Sequence, residues 1–119
     1  MSSPRIRRGD VFWLVNPRPG TSERPHPHVV VQDDVLNDSR IHTVVVCALT
    51  TNLGRANEPG NVLLEPGEAD LPKQSVVVSS QISSVAKVDL GEWIGALSAS
   101  RVDQILAGLS FLQRSGFMG

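Results

Sequence analysis

The segment between the first two apolar runs of this chain concentrates side chains that can act on a phosphodiester. Residues 16–28 read NPRPGTSERPHPH and include Arg24 and His26, and Thr50 ends the following apolar run, VVVCALT. Arginine offers planar donors and a permanent charge that suit phosphate, whereas histidine exchanges a proton near neutral pH. A threonine hydroxyl can donate to a phosphate oxygen. Together, such side chains can cleave RNA without a metal, with the ribose 2′-hydroxyl as nucleophile.

The sequence does not predict a metal or cofactor site. Its three histidines lack a ligand spacing supported by strand or helix register. Asp33 and Asp34 have no other acidic residue predictably near them, and we interpret the pair as a turn. Cys47 is the single cysteine and lies within an apolar run, which indicates a small buried side chain.

Short apolar runs separated by proline and glycine predict the elements that position these side chains. The runs predict strands at Val11–Val15, Val29–Gln32, Thr43–Leu49, Asn61–Leu64, Ser75–Gln81 and Trp93–Leu97. After Ser100, apolar residues recur at spacings of three and four, which predicts an amphipathic helix that stops at Gly116. We therefore expect a mainly β, α+β fold in which an antiparallel sheet curls towards a barrel and a C-terminal helix packs on it.

Length and charge narrow the biological setting. The 119 residues predict a single domain, residues 1–119, and a homodimer would help so small a chain to bury its apolar faces. Residues 1–55 carry seven arginines against five carboxylates, whereas the remainder carries four basic and seven acidic side chains. An anionic ligand should therefore prefer the first half. No signal peptide or membrane span is recognisable, so we expect a cytoplasmic location without membrane association.

An ordered set of motifs resembles the MazF/PemK family of toxin endoribonucleases. The motifs are GDVFWLVNP at 9–17, HPHVVVQDD at 26–34, VVVCALTT at 44–51, SQISS at 80–84 and WIGALS at 93–98. The resemblance implies a small SH3-like β-barrel of the CcdB/PemK type and a symmetric homodimer. It also implies selective cleavage of single-stranded RNA, and a cognate antitoxin whose disordered tail occupies the dimer groove.

In the family that the chain resembles, an arginine regarded as catalytic stands directly before the proline that precedes the second strand. Here the chain departs from the family. His26 stands directly before Pro27, whereas Arg24 lies two residues earlier in its own Arg-Pro pair. Either can occupy the family position. Our hypothesis is that His26 moves the proton and Arg24 holds the phosphate, with Thr50 at the position of the family's catalytic hydroxyl.

The predicted RNA-binding residues lie around these three. They are Glu23, His28, Thr51, Gln81 and Ser84. Ser22 can replace Glu23, because the loop looks one residue shorter than is common in the family. Gln81 matches a base-contacting glutamine, but Ser80 and Ser83 stand where the family usually has charged residues.

Two alternatives to an active endoribonuclease remain at this stage. The first is a protein-binding toxin like the CcdB gyrase poisons, and the second is a catalytically weakened relative that binds RNA. The convergent arginine, histidine and hydroxyl set argues against the first. The departures at His26, Ser80 and Ser83 make the second credible.

Overall fold

The computed structural model describes residues 5–14 and 24–115, and these form six strands and two α-helices. The strands are β1 (Asp10–Leu14), β2 (His26–Val30), β3 (Thr43–Thr50), β4 (Val62–Leu63), β5 (Val76–Ala86) and β6 (Leu90–Ala96). The helices are α1 (Asp34–Asn37) and α2 (Ala99–Ser115), and short 3₁₀ turns occupy Leu53–Asn57, Glu68–Asp70 and Lys87–Asp89. The predicted strand end at Val15 and helix stop at Gly116 lie outside the described residues.

The six strands form one antiparallel sheet in the order β4-β5-β3-β2-β1-β6. Within the described ranges β4 and β6 are the two ends of this sheet, so it is not closed. The predicted class, a mainly β fold with a C-terminal helix, is confirmed. None of the helices in the described part of the chain is long and apolar enough to cross a membrane.

Strand alternation divides the buried side chains between two clusters. One includes Val11, Val29, Cys47 and Leu49 together with Ile105 of α2, and the other includes Phe12, Leu14, Val30, Val44 and Val46. Because successive side chains of a strand point to opposite faces, neighbouring valines in β2 and β3 belong to different clusters. Both faces of the central strands are therefore buried along this part of the sheet.

Two predicted strand boundaries were wrong in ways that affect the site, and one predicted turn was also wrong. β2 begins at His26, so His26 and His28 are strand residues. β5 continues to Ala86 instead of ending at Gln81. The predicted turn at Asp33 and Asp34 is the start of α1, where the Asp33 carboxylate accepts the backbone N–H of Val35 at 2.9 Å and caps the helix. The other predicted strands differ from the structure only near their ends, except that β6 begins three residues early, at Leu90.

Candidate active site

A groove of about 860 Å³ opens where the second apolar cluster ends. In β2, the face that buries Val30 continues to His28 and His26. In β3, the face that buries Val44 and Val46 continues to Ala48 and Thr50, and all four of these continuing residues line the groove. The register pairs His28 with Ala48. The small side chain of Ala48 leaves space in front of the imidazole.

A shift of register brings β5 to the same groove. Cys47 pairs with Ile82 and Leu49 pairs with Val77, so residues 78–81 of β5 face the single residue Ala48. Such an irregularity bends a strand and redirects its side chains. Gln81 lies at this bend and, with Ser84, lines the groove.

Of the predicted site residues in the described ranges, five line the groove and two do not. His26, His28, Thr50, Gln81 and Ser84 come together there. Arg24 and Thr51 are exposed and are not among the lining residues. Glu23, and Ser22 as its alternative, lie outside the described residues.

The backbone fixes the ring of His28 in a particular tautomer. Its Nδ1 lies 2.9 Å from the carbonyl oxygen of His26. A carbonyl can only accept, so Nδ1 must carry a hydrogen and donate it. In the neutral ring Nε2 is then the acceptor. Burial lowers the pKa of His28, because a charged ring loses solvation there, although the same hydrogen bond opposes that shift.

Thr50 has a hydroxyl that can still donate a hydrogen bond. Its Oγ1 accepts the backbone N–H of Asn52 at 3.1 Å. A hydroxyl has two acceptor sites and one donor hydrogen, and accepting from Asn52 leaves the donor hydrogen unused. This group can therefore donate to an anionic oxygen in the groove.

Arg55 lies in the groove and was not among the site residues predicted from the sequence. Among the described lining residues it is the one arginine, and no lysine accompanies it. Its Nε and Nη2 donate to the Glu58 carboxylate at 2.9 and 3.0 Å, which raises the pKa of Arg55 and lowers that of Glu58. The carbonyl of Arg55 accepts from Asn61 Nδ2 at 2.9 Å, so its backbone is also held. The three-residue spacing of Arg55 and Glu58 was the signal available in the sequence.

Asp89 is a second lining residue that was not predicted from the sequence. It ends the 3₁₀ turn that follows β5. The groove thus combines two imidazoles, three hydroxyls, a guanidinium and a carboxylate with the amide of Gln81. Across residues 5–14 and 24–115, no three His, Cys, Asp or Glu side chains are grouped so that they could hold a metal ion. The chemistry available from this set is proton transfer and the binding of an anion.

Comparison with known proteins assigns the chain to a family. Residues 7–112 match the family described as "PemK-like, MazF-like toxin of type II toxin-antitoxin system". The chain belongs to this family, as its motifs predicted. It is 34% identical over 106 residues to Endoribonuclease MazF6 of Mycobacterium tuberculosis, an alignment covering 87% of this chain and 93% of the relative. It is 33% identical over 102 residues to Endoribonuclease MazF of Staphylococcus epidermidis, covering 84% of each chain.

Solved structures show the same fold at lower sequence identity. An endoribonuclease in complex with its cognate antitoxin from a mycobacterial species superposes with a TM-score of 0.75 and 22% identity, covering 92% of this chain and 95% of that one. MazF from Deinococcus radiodurans gives a TM-score of 0.72 and 19% identity, covering 94% and 99%. At these identities the likeness establishes the fold.

Proposed function

We propose that this chain is a toxin endoribonuclease that cleaves single-stranded RNA through attack of the ribose 2′-hydroxyl on the adjacent phosphorus. The products are a 2′,3′-cyclic phosphate and a 5′-hydroxyl end. The observation that carries the proposal is the convergence of His26, Thr50 and Arg55 in one groove of a chain that belongs to the MazF-like family. The curated relatives named endoribonucleases support the same activity.

Each groove residue has a distinct part in this reaction. His26 moves a proton, which for a positioned group typically contributes on the order of 100- to 10,000-fold to the rate. The Thr50 hydroxyl donates to a nonbridging phosphate oxygen as negative charge develops there. Arg55 contacts a phosphate with the guanidinium hydrogens that Glu58 does not use. Arg24 does not line the groove, but it lies two residues before His26 and stays proposed to hold the phosphate.

The remaining predicted contacts concern RNA binding. Gln81 and Ser84 lie along the groove and are proposed to bind bases or riboses through neutral donors and acceptors. Glu23, His28 and Thr51 stay proposed RNA-binding residues. No metal or other cofactor is required in this scheme, because the proton transfers and charge stabilisation come from side chains.

The proposed partners follow from the family. They are a cognate antitoxin, a second copy of the chain in a homodimer, and the RNA substrate. The antitoxin is supported by the structural neighbour solved in complex with its own antitoxin. We further propose that the chain acts in the cytoplasm as one domain, where RNA is available to it. A CcdB-like gyrase poison is not favoured, because the matched family is the PemK/MazF one.

The test is cleavage of a long single-stranded RNA in excess EDTA, with the fragment ends mapped. The wild-type protein should produce cyclic phosphate and 5′-hydroxyl ends. His26→Ala, Arg24→Ala and Thr50→Ala should each slow the reaction, whereas Thr43→Ala, at the exposed start of the same strand as Thr50, should not. A folded wild-type protein that binds RNA without cutting it would instead identify the weakened binder. Cleavage that disappears with EDTA would refute metal independence.

A further inference from the structure

We propose that His28 is the general base that removes the proton from the attacking 2′-hydroxyl, while His26 acts as the general acid. This inference rests on the proposed function and deepens it, because it adds a second proton-transfer group. It assigns His28 a catalytic step in place of simple RNA binding. The carrying observation is the hydrogen bond that leaves Nε2 of the neutral ring as the acceptor in a groove-lining residue.

The strand geometry places the two imidazoles on one face. His26 and His28 are two residues apart in β2, so their side chains leave the sheet on the same side. Both line the groove. A reaction in which one oxygen loses a proton and another gains one needs two such groups, one neutral and one protonated. Residues two apart on one strand supply both within a single substrate site.

Protons and bonds balance in the resulting step. Nε2 of neutral His28 takes the 2′-hydroxyl proton as O2′ forms its bond to phosphorus. The bond from phosphorus to O5′ breaks, and protonated His26 gives its proton to the leaving O5′. His28 ends protonated and His26 neutral, and exchange with water restores both for the next turnover.

The surroundings of His28 favour a neutral ring. Its cross-strand neighbours are Phe12 on β1 and Ala48 on β3, which carry no charge. The charged or titratable groups that share the groove are His26 on its own strand, Arg55 from the turn after β3, and Asp89 from the turn after β5. Half-burial lowers the pKa of His28, so the ring is ready to accept a proton at neutral pH. Below that pKa the base is protonated and the rate must fall.

The decisive variant is His28→Asn. The asparagine amide nitrogen occupies a position similar to that of Nδ1, so it can keep the donation to the His26 carbonyl, but the side chain has no counterpart of the basic Nε2. Single-turnover cleavage should fall by on the order of 100- to 10,000-fold. In the pH–rate profile of this variant, the loss of rate as pH falls, called here the acidic limb, should disappear. Binding of a 2′-O-methyl RNA, which cannot be cleaved, should weaken far less than the cleavage rate falls. The matched control His42→Asn, at an exposed position outside the groove, should behave as wild type.

A modified substrate separates the base from the acid. Once the cleaved bond is mapped, its 5′-oxygen can be replaced by sulfur, a leaving group that does not need protonation. His26→Ala should recover on this substrate, whereas His28→Asn should stay slow. The base assignment is overturned if His28→Asn keeps the wild-type rate and acidic limb, or if sulfur rescues it. By contrast, a wild-type protein that makes no cyclic phosphate would refute the proposed function itself.

Discussion

The contact between α2 and the turn before β4 predicts a large effect from adding one methyl group. Gly108 of α2 packs on Gly60, whose φ of +83° is in the left-handed region. A Cβ placed on Gly108 would overlap the carbonyl oxygen of Gly60 and lie 3.1 Å from Ser79 Oγ. That carbonyl also accepts the Ser79 hydroxyl at 2.5 Å. Gly108→Ala must therefore move the helix or the turn.

Three effects combine in the expected change in the free energy of unfolding for Gly108→Ala. Replacing a glycine inside a helix with alanine stabilises it by about 1 kcal/mol. Overpacking a tight contact costs about 1–3 kcal/mol, and weakening the hydrogen bond from Ser79 costs about 1 kcal/mol. The obstructing atom is a backbone oxygen, which cannot rotate away as a flexible side chain would. The net change for Gly108→Ala is a loss of about 2 kcal/mol, which lowers the Tm by roughly 8 °C for a chain of this size.

Urea unfolding followed by circular dichroism measures this change. Ala107→Gly is the matched control, because Ala107 is the exposed neighbour of Gly108 in the same helix. It should lose about 1 kcal/mol through helix propensity alone. If Gly108→Ala were as stable as the wild type or more so, propensity would outweigh packing and the close approach would not limit this position.

Three further predictions concern charge and burial. The slope of log affinity against log salt concentration, measured with 2′-O-methyl RNA, should become shallower by about 0.7 in Arg55→Ala, because one phosphate contact is lost. Arg40→Ala, at an exposed position outside the groove, should leave this slope unchanged. An equal effect of the two variants would exclude a specific contact. Hydrogen bonds from the Arg101 guanidinium on α2 lower the pKa of Glu68. The ionised Glu68 carboxylate therefore stabilises the fold fully above its unfolded-state pKa of about 4.3. This stabilisation is lost as the pH falls through the lower folded-state pKa. Urea titrations should show Glu68→Gln less stable than wild type at pH 7, with a difference that shrinks as the pH falls below about 4.3. A difference that stays constant with pH would contradict the ion pair. Burial raises the pKa of the Cys47 thiol to about 12. A disulfide-exchange reagent at pH 8 should therefore label Cys47 in urea but not in the native protein. Rapid labelling of the native protein would contradict the burial of this thiol.

The strongly apolar parts of the fold were predictable from the sequence. β-Branched residues dominate β3, and so the strand was predicted at Thr43–Leu49. In the structure it ends one residue later, at Thr50. The spacing of apolar residues predicted α2 within about one residue at its start. In both elements, burial of a regular pattern decides the structure, so local reasoning was sufficient.

The start of β2 was not predictable from the same rules. Pro27 lacks an N–H, which argues against a strand interior. In the structure β2 pairs with β3 only from His28 onwards, so Pro27 lies in the part that pairs with β1 alone. Whether a proline falls within or beyond a ladder depends on the length of the neighbouring strand. That information is not local, and without it His26 and His28 were assigned to a loop.

The polar half of β5 and the groove cation were missed for a related reason. Beyond Gln81, Ser83 and Ser84 line the groove and interrupt the apolar run, although Ile82 and Val85 still pack against the core clusters. Arg55 sits in a turn where an arginine is unremarkable. This turn follows β3, which pairs with β2, and so Arg55 lines the same groove as the two histidines. Residues that form a site from separate elements therefore leave weaker signals in the sequence than residues that form the core.

The core and the groove share one structural cause, and this links stability to chemistry. The alternation that buries Val30 and Val46 on one face of the sheet sends His28 and Thr50 to the same face a few residues further on. A slip of one residue that turned β2 over would carry Val30 to the other face of the sheet and His28 away from the groove. The hydrophobic register therefore positions the site. Apolar neighbours on β1 and β3 also help to keep the His28 ring neutral, so the surroundings that follow from this register favour its proposed role as a base.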